Sequence, residues 1–140
     1  MIQVVNCGPP PPLVLRRGKI EALHPASPRP PLGLEDLMNS PTAGPDSYVF
    51  APGDRLLLYT DGVVEARNID NDFFPLPEAL EAAPACTPPE FLEWLHQVLI
   101  RHTRGQLTDD VAVLVIDRFR DDTESKATEN AITSGPRPSR

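Results

Sequence analysis

Two short and almost uninterrupted apolar runs constrain this chain more than any other feature: Arg55-Leu56-Leu57-Leu58-Tyr59-Thr60, and Val111 to Ile116. Neither is long enough for a core helix, and neither alternates as a half-exposed strand would. Runs of this kind predict strands buried on both faces, central in a sheet rather than at its edge. Aspartates bound them: Asp61-Gly62 follows the first, Asp109-Asp110 precedes the second, and Asp117 closes it. If the two strands are antiparallel neighbours, the end of one lies beside the start of the other. Asp61 and Asp109 then converge at one rim of the sheet.

Proline punctuates the rest. Ile2 to Cys7 reads as a short strand rich in β-branched residues, stopped by Gly8 and the run Pro9 to Pro12. Proline cannot donate to a ladder, so that run is a turn or an extended connection. Leu13 to Arg16 and Ile20 to Leu23 read as two further strands around the turn Arg17-Gly18-Lys19, and the three together suggest an antiparallel meander. Residues 24–46, rich in Pro, Gly and Ser, form a long loop. Tyr48 to Phe50 then opens a second antiparallel pair, with Pro52-Gly53-Asp54 as its turn before Arg55.

A helix starts near Pro88. Thr87-Pro88-Pro89-Glu90 has the capping-box pattern, with Thr at the cap, Pro at the first helical position and Glu three residues on. Behind it Phe91, Leu95, Val98, Leu99 and His102 form one apolar face, and Gly105 sits at the stop. His102 is therefore a packing residue and His96 faces solvent. Pro75 to Ala83 predicts a shorter helix. Residues 119–140 have no periodic apolar face and read as a disordered tail, leaving residues 1–118 as one domain.

Two carboxylates at a sheet rim, with backbone carbonyls and water, are hard oxygen donors of the kind Mg²⁺ or Mn²⁺ prefers. The residue pattern leaves a plainer alternative open. Asp-Gly is a common turn dipeptide, and Asp-Asp before a strand can be a solvated loop. Other classes of function fare worse. A net charge of −7, with scattered positive residues, gives no basic face for nucleic acid. No apolar run approaches the ~20 residues that span a membrane, and Met1 to Val5 does not open a signal peptide. Cys7 and Cys86 are far apart in unrelated contexts and read as free thiols of a cytoplasmic protein.

Three ordered motifs carry a resemblance. Gly53-Asp54-Arg55-Leu56-Leu57-Leu58-Tyr59-Thr60-Asp61-Gly62-Val63-Val64-Glu65-Ala66-Arg67 resembles a motif of PPM-type (metal-dependent, type 2C-like) protein serine/threonine phosphatases. Leu107-Thr108-Asp109-Asp110-Val111-Ala112-Val113-Leu114-Val115 resembles their closing motif, and Asn6-Cys7-Gly8-Pro9-Pro10-Pro11-Pro12-Leu13 resembles an Asn-Ala-Gly-His-Pro-Pro segment of the bacterial SpoIIE-like branch. Leu32-Gly33-Leu34 and Phe73-Phe74 also fall where that branch has similar residues. The resemblance covers residues 1 to about 118, the C-terminal portion of such a domain.

The resemblance implies an α/β (α+β) sandwich of antiparallel sheets flanked by helices, here in part. It implies that Asp61 and Asp109 are metal ligands for Mn²⁺ or Mg²⁺, with Gly62, Glu65 and Asp110 as supporting residues. The implied reaction is hydrolysis of phosphoserine or phosphothreonine on a bacterial regulatory phosphoprotein, such as an anti-sigma-factor antagonist. Two departures stand out. No earlier Asp-Gly segment precedes Asp61 to supply the aspartate that bridges two ions in the family, and Pro9 and Cys7 replace the His and Ala of the N-terminal segment. The chain is thus expected to be weakly active or inactive alone, to be completed by another polypeptide, or to self-associate. The rival expectation is a non-catalytic remnant that binds a sigma-factor regulatory partner.

Overall fold

The structure is a computed structural model that describes residues 1–8, 10–27, 29, 31, 33, 34 and 44–120. Pro9, Leu32, most of the expected 24–46 loop and residues 121–140 of the expected tail lie outside the described residues.

The chain is α+β. Strands β1 (Ile2–Val4), β2 (Leu13–Arg16), β3 (Lys19–Ala22), β4 (Asp46–Tyr48) and β5 (Arg55–Tyr59) are followed by helices α1 (Asp61–Val64), α2 (Leu76–Glu81) and α3 (Pro88–Thr103), and then by β6 (Val113–Asp117). A four-stranded antiparallel sheet has the order β3-β2-β5-β6, and β1 pairs with β4 in a second, two-stranded sheet. β5 is therefore interior, as its apolar run requires. It joins β2 through Leu13↔Leu57 and β6 through Leu57↔Val115 and Tyr59↔Val113.

Alternation along the strands sorts the sheet's two faces. Leu13, Leu57, Val113 and Val115 turn toward the helices and pack with Val63, Leu76, Leu80, Phe91, Leu95 and Leu99 in the larger core. The opposite face carries Val14 and Leu56, which pack with Leu23 and Phe50 in a smaller cluster joined by Leu58. Leu57 is fully buried, so Leu57→Ala should cost about 2–5 kcal/mol.

Helix α3 begins as the capping pattern requires. Glu90 N–H donates to Thr87 Oγ1 at 3.4 Å, and Thr87 N–H donates to Glu90 Oε1 at 3.0 Å. It ends at Arg104 in a left-handed conformation, with Gly105 N–H donating to the Ile100 carbonyl. His96 is exposed, and His102 packs edge-on against Phe74, its ring centroid 5.2 Å away.

Four expectations need correction. The first three strands do not form a meander. β2 and β3 form a hairpin around Arg17-Gly18, both at positive φ, while β1 pairs with β4; the donor-poor prolines between β1 and β2 separate the two strands instead of turning one back onto the other. The segment before Pro52 is not the hairpin partner of β5: its strand is Asp46–Tyr48, and the Ala51–Asp54 turn only redirects the chain. Asp61-Gly62 does not close a turn but opens the one-turn helix α1. Finally, β6 is an edge strand, and Leu114 and Ile116 are 56% and 42% exposed. An unbroken apolar run reads the same whether its second face is covered within the chain or left open.

Candidate metal centre

The site is built by the end of β5 and the approach to β6. Thr60 leaves the sheet in an extended conformation, and Asp61 is the first residue of α1. That short helix is rooted by Val63, fully buried in the larger core, and by Gly62. Opposite, the chain from Asp109 to Ala112 runs toward β6 and is clamped by Thr60. Thr60 N–H donates to the Ala112 carbonyl at 3.1 Å, and Ala112 N–H donates to Thr60 Oγ1 at 3.0 Å. The Thr60 hydroxyl also lies 3.5 Å from the Asp110 carbonyl.

Gly62 makes the closest approach between the two motifs. A Cβ on that residue would lie 2.0 Å from the Asp110 carbonyl oxygen, 3.0 Å from its carbonyl carbon and 3.6 Å from Asp109 Cβ. Real Cβ atoms do not come so near backbone, so no other residue fits without moving the chain. This contact brings the Asp61-Gly62 and Asp109-Asp110 motifs to one rim.

Asp61 and Asp109 are both exposed there, and no ion pair holds either of them among the described residues. Asp109 Oδ1 accepts the Asp110 N–H at 2.9 Å, which orients its carboxylate locally. Burial, and then the charge of Asp61, push the Tyr59 hydroxyl above its ordinary range, so that it remains protonated beside the site. Glu65 is exposed at the C-cap of α1, where its N–H donates to the Asp61 carbonyl at 2.9 Å. That contact is made by the Glu65 backbone. Asp110 contributes its backbone against Gly62 and Thr60. The N-terminal motif borders the same end of β5: Val5, Asn6, Pro10 and Pro12 line a cavity of about 140 Å³ with Leu58 and Tyr59.

The donor types suit a hard divalent cation. Mg²⁺ is commonly held by one or two carboxylates, with water and substrate oxygens completing its shell. Among the described residues no group of three or more His, Cys, Asp or Glu side chains is placed to hold an ion. Asp61 and Asp109 are carboxylates that this rim leaves exposed.

The strand pair is built differently at its other end. The guanidinium of Arg16 donates to Asp54 Oδ2 through Nε at 2.9 Å and Nη2 at 2.7 Å, and Ala51 N–H donates to the same oxygen at 2.8 Å. Burial pushes the Asp54 carboxyl up, but Arg16 and the Ala51 N–H outweigh it and hold the carboxyl below its usual range. Arg55 grips Asp117 with two bonds of 2.6 and 2.8 Å, donates to the Cys86 carbonyl and lies 4.9 Å over the Phe91 ring.

Sequence reasoning passed over Thr60. Its signal was available: a hydroxyl residue directly before Asp61, which the strand register sets opposite Ala112. The clamping role becomes visible only when β5 and β6 are paired residue by residue.

Comparisons with known proteins bear on the chain's family and fold. The family profile described as Stage II sporulation protein E (SpoIIE) matches residues 1–119. "Protein IcfG" of Synechocystis sp. is 33% identical over 85 residues, covering 59% of this chain and 13% of that protein. Among solved structures, the phosphatase domain of the cell fate determinant SpoIIE from Bacillus subtilis superimposes with a TM-score of 0.57 at 20% identity, over 79% of this chain and 49% of that one. A manganese-presoaked crystal of the same domain gives a TM-score of 0.62 at 16% identity, over 86% of this chain and 56% of that one. At these identities the superpositions establish the fold. The chain spans about half the length of the solved domains it matches.

Proposed function

We propose, from the premise that the chain belongs to the Stage II sporulation protein E (SpoIIE) family, that it is the metal-binding C-terminal portion of a protein serine/threonine phosphatase unit. The observation that supports the reading is the close packing of Gly62 on the Asp110 carbonyl, a contact between the two aspartate motifs. In this reading the Asp61 and Asp109 carboxylates hold Mn²⁺ or Mg²⁺. Thr60 and Gly62 fix the spacing between them, and Tyr59 stays neutral at the base of the site. A bound divalent ion supplies a water of lowered pKa and offsets charge on the phosphoryl oxygens. The substrate is a phosphoserine or phosphothreonine on a regulatory phosphoprotein, with an anti-sigma-factor antagonist as the favoured class and the cytoplasm as the location. No helix among the described residues is long and apolar enough to cross a membrane.

With two carboxylates at the rim, the 140 residues alone should bind metal weakly and turn over slowly at most. The test is hydrolysis of a phosphoserine peptide, with and without Mn²⁺. The expected result is little or no turnover by this chain, and Mn²⁺-dependent turnover by a phosphatase unit that contains it and loses activity on Asp61→Asn. A unit whose Mn²⁺-dependent activity survives Asp61→Asn would contradict the assignment.

One observation favours a second reading. Because no three-ligand group exists among the described residues, the chain could act by itself as a non-catalytic module for a sigma-factor regulatory partner. Partner binding that is indifferent to Mn²⁺ and to Asp61→Asn would support that reading over the first.

A further inference from the structure

A cavity of about 560 Å³ lies at the arginine end of the sheet, where the β2–β3 hairpin, the start of β5, the link from α2 to α3 and the end of β6 meet. Each of these segments is fixed by contacts within the chain. The hairpin is paired along its whole length. Arg55 donates to the Cys86 carbonyl and so ties the α2–α3 link to β5. Gly53 N–H donates to the Arg118 carbonyl at 2.7 Å, and Arg118 N–H donates to the Asp54 carbonyl at 3.0 Å, which ties the end of β6 to the turn before β5. Neither the exposed Leu114 and Ile116 of β6 nor the sheet face that carries Val14 and Leu56 contributes to the lining.

The walls have two characters. Leu15, Ile20, Leu80 and Phe91 give the cavity an apolar side that continues the larger core. The charged side is basic, in a chain whose net charge is −7. Of the carboxylates that line it, Asp54 is held by Arg16 and Asp117 by Arg55, which leaves Glu81. Arg17, Arg118 and Arg120 line it too, and none of the three has an ion pair among the described residues. Arg118 donates to the Phe50 carbonyl, a neutral acceptor that leaves its charge uncompensated. A volume of this order, an apolar wall and a few convergent charged groups are the marks of a small-molecule pocket.

Arg17 is the least expected of these residues. With Gly18 it forms a two-residue hairpin turn at positive φ, 53° and 78°. Such turns favour Asn, Asp or Gly at the first position, so an arginine there is strained. Its charge is felt by Asp54, a carboxylate that Arg16 already pairs. The side chain is otherwise exposed beside the cavity.

We propose that this cavity binds a small amphiphilic carboxylate, its apolar body against Leu15 and Ile20 and its head against Arg17 and Arg120. Guanidinium groups suit such a head because their parallel N–H donors match its two oxygens. The cavity stands at the opposite end of β5 and β6 from Asp61 and Asp109. The proposal therefore does not depend on metal binding or phosphatase activity.

An amide NMR titration of the 140-residue chain with naphthoate tests it, beside acetate, which lacks the apolar body, and naphthalenemethanol, which lacks the charge. The expected result is saturable shifts at Gly18, Cys86 and Phe119 with a Kd of about 0.1–1 mM, and binding of either control compound at least about tenfold weaker. Arg17→Asn removes the guanidinium and supplies a residue that the turn favours, so it keeps the fold. It should weaken naphthoate binding about fivefold, since a charge-assisted pair is lost. Arg104→Asn makes the same exchange in the same left-handed conformation, φ 55°, outside the cavity, and should leave the Kd unchanged. Glu81→Gln removes the acid that opposes the ligand and should tighten binding about twofold. Shifts that do not saturate by about 10 mM, naphthalenemethanol binding as well as naphthoate, or equal Kd values for Arg17→Asn and Arg104→Asn would overturn the proposal.

Discussion

At one end of the β5–β6 pair, Asp54 and Asp117 are each gripped by an arginine; at the other, Asp61 and Asp109 stand exposed with no ion pair among the described residues. The two ends share the same strands and residue type. They differ in what compensates the charge. At the arginine end the negative charge is matched within the chain and contributes to cohesion. At the rim it is left uncompensated while the surrounding backbone is held close by Thr60 and Gly62. Under the function proposed above, the exposed rim is the end that takes up a cation, while the aspartates of the arginine end are matched within the chain.

The largest effect should come from breaking the arginine end. Asp117→Ala strands the Arg55 guanidinium, which is 14% exposed, against Phe91 and the Cys86 carbonyl. Loss of one partner of such a pair should cost toward the lower end of ~3–5 kcal/mol, read as a fall in the denaturant midpoint. Substituting hydrophobic isosteres for both Arg55 and Asp117 should recover much of that loss. If Asp117→Ala alone leaves the midpoint unchanged, the two ends do not differ as described.

Next in size is the contact that closes the rim. Gly62→Ala sets a methyl on the Asp110 carbonyl and must push the β6 approach away from α1. A cost of about 1–3 kcal/mol is expected, together with loss of Mn²⁺ binding. A variant with full stability and undiminished binding would show that the two motifs are not in contact.

Acid should separate the ends by a smaller margin. The folded Asp54 carboxyl sits below its ordinary value of 3.8. Its contribution is therefore present above that value and is lost as pH falls through the lower, folded value. Unfolding below about pH 4 should be shallower in Asp54→Asn than in the parent chain, because the variant has no such proton to take up. Identical acid transitions would contradict the pairing with Arg16.

Much of this contrast was legible in the sequence. Leu56 to Tyr59 announced an interior strand, Thr87 and Glu90 a helix start, and the two Asp motifs a common rim, because each rests on local pattern or on one antiparallel pairing. The partner of β1 was not legible. Ile2 to Val4 could pair with any nearby strand, and a proline run shows where pairing stops without showing where it resumes. Nor was the open face of β6, since Leu114 and Ile116 look the same in sequence whether covered or exposed. The grip of Arg16 on Asp54 was hidden for a related reason: it joins residues 38 apart that meet only once β2 and β5 are in register.

The central claim is that Asp61 and Asp109 act together as the chain's cation-binding rim, and calorimetric titration of the 140-residue chain with Mn²⁺ tests it most directly. The account predicts one weak site, abolished alike by Asp61→Asn and Asp109→Asn and retained in Glu65→Gln, with thermal melts of both Asp variants within about 0.5 kcal/mol of the parent, as befits exposed positions. Binding that survives both substitutions, or tight uptake of two ions by this chain alone, would contradict it.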